Sequence, residues 1–142
     1  MRLTAIFVAA LAMTSLAASA RAAELVAIVS SHSPAAAMRA DQVAAIFLGQ
    51  CGRFPDGRDA VPLDQPVGSS LRNQFYDRVA GKSPALLRAY WSKMVFTGRG
   101  QPPREERDSA AVRKAVADNP SLIGYIDATA LDASVRAVLW LR

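Results

Sequence analysis

The 142-residue chain is poor in the side chains that build reactive centres: it holds one cysteine, Cys51, and one histidine, His32. A lone thiol forms no intramolecular disulfide, so the fold must rest on its apolar core. One His and one Cys are too few for a zinc site of the usual kinds, and a Cys–His nucleophilic pair needs the fold to bring the two together. The sequence reads Cys51 as a half-buried bystander. No H-E-x-x-H, G-x-S-x-G or G-x-x-x-x-G-K-[ST] motif is present, which removes three common catalytic signatures. The net charge of +5 mildly favours anionic partners. Lys and Arg are scattered, however, and nowhere alternate with aromatics, so nucleic acid is not an expected partner. No cofactor or metal is expected, and the chain reads as a binder rather than an enzyme.

What is present begins with a leader. Arg2 is followed by an apolar stretch from Leu3 to about Leu16, and Ala18-Ser19-Ala20 supplies the small residues of a cleavage point; Ala20-Arg21-Ala22 fits the same rule two residues later. The stretch is shorter than the roughly 20 residues a bilayer core requires, and no basic stop-transfer cluster follows. The expectation is a signal peptide over 1–20 and one periplasmic or secreted domain over 21–142, long enough to bury a core.

Glu24 to Ser30 is a β-branched apolar run that predicts a strand buried on both faces, as in parallel sheets. Val43, Ile46 and Phe47 share a face of a helix over Ala40 to Leu48, with Gly49 placed for a left-handed end. Val61-Pro62-Leu63-Asp64 reads as a short strand whose proline points to an edge or a strand start. A helix opens near Ser69-Ser70 with Leu71, Phe75 and Val79 inward, and Gly81-Lys82 closes it. Ser83-Pro84 opens the next, with Leu87, Tyr90, Trp91 and Met94 as its stripe. Gly98 to Arg104 shows no sign of regular structure. A helix over Ser109 to Asp118 and strands at Leu122–Ile126 and Ser134–Leu141 complete an α/β chain. The last strand is expected to alternate through Val135, Ala137, Leu139 and Leu141.

Asp56, Asp59 and Asp64 lie close in sequence and read as solvated turn carboxylates. The most informative stretch is Asp64 to Arg72, where a strand end passes through Gly68, Ser69 and Ser70 into a helix start. Free N–H groups and partial positive charge at a helix N-terminus suit an oxyanion, and Arg72 adds a charged donor. By spacing alone, Ser69 or Ser70 reads first as a plain helix cap, the usual role of such serines.

Taken in order, Ala45-Ile46-Phe47-Leu48-Gly49, Phe54-Pro55-Asp56-Gly57, Val61-Pro62, Gly68-Ser69-Ser70-Leu71-Arg72 with Phe75, and Asn119-Pro120-Ser121-Leu122-Ile123-Gly124-Tyr125 resemble the periplasmic phosphate-binding proteins of ABC transporters. The resemblance implies a single lobe of a type II periplasmic-binding-protein-like fold, with a mixed sheet flanked by helices. It further implies a solute-binding role for phosphate or a related small oxyanion, with Gly68, Ser69, Ser70 and Arg72 as its site and a membrane transporter or a homodimer partner. The family's loop reads arginine, two residues, then Gly-Ser-Gly-Thr; here Gln65, Ser70 and Leu71 stand at the arginine, second glycine and threonine positions. The competing expectation is a periplasmic accessory protein that kept the fold without the ligand and docks through the region from Tyr90-Trp91 to Arg104.

Overall fold

In the computed structural model, which describes residues 24–142, the chain runs β1 (Leu25–Ser30), α1 (Ala40–Phe47), β2 (Val61–Asp64), α2 (Ser70–Ala80), α3 (Pro84–Phe96), β3 (Arg104–Glu105), α4 (Ser109–Asp118), β4 (Leu122–Asp127) and β5 (Val135–Leu141), with a 3-10 turn at Ala128–Ala130. The predicted leader lies outside the described residues. Among them, no helix is long and apolar enough to cross a membrane.

Side-chain caps set the helix starts. Ser69, Ser83 and Asp108 each accept the N–H three residues ahead, from Arg72, Leu86 and Ala111, and so satisfy donors that a helix leaves unpaired. Pro84, lacking an N–H, follows its cap at the first helical position. Gly81 ends α2 in the left-handed region at φ +61°, where other residues are strained.

The strands form one sheet in the order β3-β2-β4-β1-β5. β2 is parallel to β3 and to β4, whereas β1 is antiparallel to both of its neighbours, β4 and β5. The expectation of parallel pairing for β1 is therefore corrected. All six of its residues are buried because helices cover both faces of the sheet, and burial on two faces carries no information about direction. Pro62 pairs with Ile123 on one side, while β3 joins β2 only from Leu63 onward, so the proline leaves no ladder bond missing between strands.

Leu25, Ala27 and Val29 of β1 face α1, α2 and α3 together with Phe47, Phe75, Tyr76, Tyr125 and Trp91. Val26 and Ile28 face α4, packing with Leu63, Val112, Val116 and Ile126. On the α4 side, a Cβ at Gly124 would lie 2.4 Å from Val112 Cγ1, so the bare glycine sets how closely α4 approaches. The expected alternation along β5 breaks once. Ala27 is opposite Leu139 and Ile28 opposite Ala137, leaving Val138 as the extra, buried residue of a β-bulge. Val135 and Ala137 consequently pack with the α4 layer, and Val138, Leu139 and Leu141 with the other.

Candidate functional site

β2 and β3 run in parallel and end side by side, at Asp64 and Glu105. Ligand crevices in α/β sheets lie beyond such carboxyl ends. From Asp64 the chain turns through Gln65-Pro66-Val67-Gly68, with Gly68 at φ +87°, and enters α2 at Ser69. Among the described residues, the N–H groups of Gly68, Ser70 and Leu71 have no acceptor, while that of Ser69 donates to the Pro66 carbonyl at 3.0 Å. The Ser69 hydroxyl caps the helix through the Arg72 N–H at 3.2 Å, and the Ser70 hydroxyl accepts from Gln74 Nε2 at 2.9 Å. Both hydroxyls thus have partners within α2.

Arg72 turns inward from the first turn of α2 and is 8% exposed. Its Nη1 lies 2.8 Å from Glu105 Oε1 and its Nη2 3.8 Å from Asp64 Oδ2, with the guanidinium 5.6 Å above the Tyr76 ring centre. The same Glu105 oxygen accepts the Val67 N–H at 2.8 Å. A half-exposed carboxylate therefore already bridges the loop amide and the arginine. Gly68, Ser69, Ser70 and Arg72 stand together at this end of the sheet, and an internal anion stands with them.

Asp64, read as a turn carboxylate, is instead 1% exposed. It closes the buried second half of β2, so its side chain meets the core rather than water. The Tyr76 hydroxyl donates to Oδ2 at 2.6 Å, the Tyr125 hydroxyl donates to Oδ1, and the Gln65 N–H donates to Oδ1 at 2.8 Å. Burial raises its pKa above the usual carboxylate range, opposed by the two hydroxyls, Arg72 and the amide. Burial first, and then the Asp64 charge, push both tyrosines well above their ordinary value, so they remain donors. Gln65, at the resembled arginine position, points away: its amide donates to Ser109 Oγ and to the Tyr125 carbonyl, each at 3.2 Å.

Beside Arg72 a cleft of about 670 Å³ opens between α2, α3 and the Pro102-Pro103 loop. Leu87, Arg88, Trp91, Val95 and Pro103 line it. Trp91 is nine-tenths buried and its Nε1–H is the one buried side-chain polar atom among the described residues without a partner. Tyr90 is half-buried, its hydroxyl donating to the Leu48 carbonyl at 2.6 Å, so the two aromatics assigned to a docking surface face mainly inward. The exposed apolar groups of α3 are Leu86, Val95 and Phe96.

Cys51 is exposed rather than half-buried, its thiol donating to the Arg53 carbonyl at 3.4 Å, and no hydrogen bond joins it to His32. No group of three metal-ligating side chains occurs among the described residues. Tyr76 and Glu105 went unnoticed in the sequence, and Tyr125 entered only as the end of the Asn119-to-Tyr125 segment; a carboxylate closing an apolar strand, as in Val61-Pro62-Leu63-Asp64, was the one signal available.

No family model and no curated protein matches the chain. Solved structures do. A protein of Clostridium perfringens, described as a phosphate ABC transporter substrate-binding protein with bound phosphate, superposes with a TM-score of 0.63 at 23% identity over 82% of this chain and 45% of that one. An ABC-type phosphate transport receptor from Vibrio cholerae gives 0.63 at 17% identity over 82% and 46%. PstS from Borrelia burgdorferi gives 0.58 at 14% over 82% and 47%. The chain spans less than half the length of each, and what it shares with them is the fold: a mixed sheet between helices, as in a single lobe of the periplasmic phosphate-binding proteins.

Proposed function

We propose that the protein is an exported solute-binding-like protein that takes a small oxyanion, phosphate or a relative of it, at the amino end of α2. The observation that carries this reading is the seat of Glu105: its carboxylate, itself an oxyanion, is held by the Val67 N–H and the Arg72 guanidinium beside three N–H groups that have no acceptor. The solved neighbours, described as phosphate-binding or phosphate-transport proteins, support solute capture over catalysis. The reading places the protein in the periplasm in the service of ABC-type phosphate uptake, with a homodimer partner or a membrane transporter closing the second wall of the site.

Calorimetric titration of phosphate, sulfate and acetate at low salt, where screening is weakest, tests it. Saturable binding of at least one is expected. Arg72→Lys, which keeps the charge but loses the two-pronged fork, should weaken it about tenfold. Absence of binding by all three, and by a larger carboxylate, in both the parent and Glu105→Ala overturns the reading.

The second reading, an accessory protein that kept the fold and docks onto a partner, is favoured by α3, where Phe96 is 92% exposed next to Val95. Partner capture that survives Ser69→Ala, in a protein that binds no anion, would establish it.

A further inference from the structure

Three features of the site bear on which anion it takes, on the reading that an oxyanion binds there. The first is the resident. Glu105 Oε1 accepts from both Val67 N–H and Arg72 Nη1 at 2.8 Å, so the two donors already converge on a carboxylate oxygen. Glu105 sits on a two-residue edge strand and is half-exposed, so its side chain can swing to solvent without moving the sheet.

Charge is the second feature. Arg72 is the one cation paired with Glu105, and it faces two carboxylates, with Asp64 fixed 3.8 Å away by Tyr76 and Tyr125, while Arg88 lines the cleft farther along α3. A monoanion that replaces Glu105 leaves this balance as it was. A phosphate dianion adds a second negative charge beside the fixed Asp64 carboxylate, and like charges at such range repel strongly where water is scarce.

The third is the cleft. Its volume of about 670 Å³ lies within the range of small-molecule sites and far exceeds one inorganic anion. Pro84, Leu87, Trp91, Val95 and the Pro102-Pro103 pair make most of its wall apolar, interrupted by Arg88. Trp91 supplies the largest aromatic surface of that wall and is nine-tenths buried.

We infer that, among oxyanions, the site prefers a monocarboxylate with an apolar body to phosphate: its carboxylate displaces Glu105 from the Val67 amide and Arg72, and its body lies in the cleft against Leu87, Trp91 and Val95. Glu105 is then a built-in competitor that sets the affinity.

Calorimetric titrations of the protein with 3-phenylpropanoate, acetate and phosphate at low salt test this, repeated on Glu105→Ala and Val95→Asp after each is shown to melt cooperatively. In the parent, 3-phenylpropanoate should bind about tenfold or more tighter than acetate, the increment expected of an aromatic group leaving water. Glu105→Ala should tighten both carboxylates about tenfold, and Val95→Asp should erase most of the difference between them. Binding of acetate or phosphate with no advantage to 3-phenylpropanoate, or phosphate binding tighter than it, overturns the inference and leaves the oxyanion reading standing. Failure of all three anions to bind either the parent or Glu105→Ala removes that reading, and the inference with it.

Discussion

α2 and α3 are consecutive helices of 11 and 13 residues, each opened by a serine cap, yet they are held in different ways. α2 buries Phe75, Tyr76 and Val79 in the aromatic layer and anchors its first turn through Arg72. α3 buries Leu87 and Trp91 and leaves Leu86, Val95 and Phe96 toward solvent. Both border the cleft, so one wall is fixed to the core and the other is lightly attached. Helices with few buried apolar contacts are the first to move. On the proposed reading, α2 would set the affinity for an anion, while α3 would set the shape of whatever accompanies it.

Removing the anchor of α2 should have the largest effect. Phe75 stacks on Tyr125 with ring centres 3.8 Å apart and 5° between planes, and meets Phe47 edge-on at 4.8 Å. Phe75→Ala should lower stability by about 3–5 kcal/mol, the usual range for emptying an aromatic core position; urea denaturation reads it. A loss near zero would mean that α2 is no better anchored than α3.

Asp64 sharpens the contrast through pH. Its folded pKa is raised, so between the ordinary carboxylate value and the raised one the native state holds more protons than the unfolded chain. The stabilisation is complete below about pH 4 and is lost as pH rises through the raised value. Denaturation midpoints followed upward from about pH 4 should show this fall in the parent and not in Asp64→Asn. The α3 side supplies no such window, because no Asp or Glu occurs between Lys82 and Arg104.

The smallest effect belongs to α3. Phe96→Ser should change stability by less than about 0.5 kcal/mol, as is usual for an exposed site without packing partners. A larger loss, measured in the same urea series, would show that the end of α3 is packed more tightly than its exposure indicates.

Much of the fold was legible because its signals are local. Ser69, Ser83-Pro84 and Gly81 announce helix ends within a few residues, and Val43, Ile46 and Phe47 or Val112 and Val116 mark inward faces by spacing alone. What escaped depends on pairing. The direction of β1, the bulge at Val138 and the two-residue β3 follow from which strands meet, and two residues are too few to show a period. The site divides in the same way. Gly68, Ser69, Ser70 and Arg72 share one turn and could be read together, but Tyr125 reaches Asp64 across 61 positions and Glu105 reaches Arg72 across 33. Glu105 follows a glycine- and proline-rich stretch that carries no pattern, so nothing near it points back to α2.

Gly124 gives the molecule a mechanical polarity. With Val112 Cγ1 and Val116 Cγ2 only 2.4 and 3.2 Å from where a Cβ would stand, α4 is seated directly on bare backbone. The α4 side of the sheet therefore behaves as a backing plate. An occupant at the carboxyl ends of β2 and β3 would meet its give on the opposite side, where Leu87 and Trp91 are the buried residues of α3.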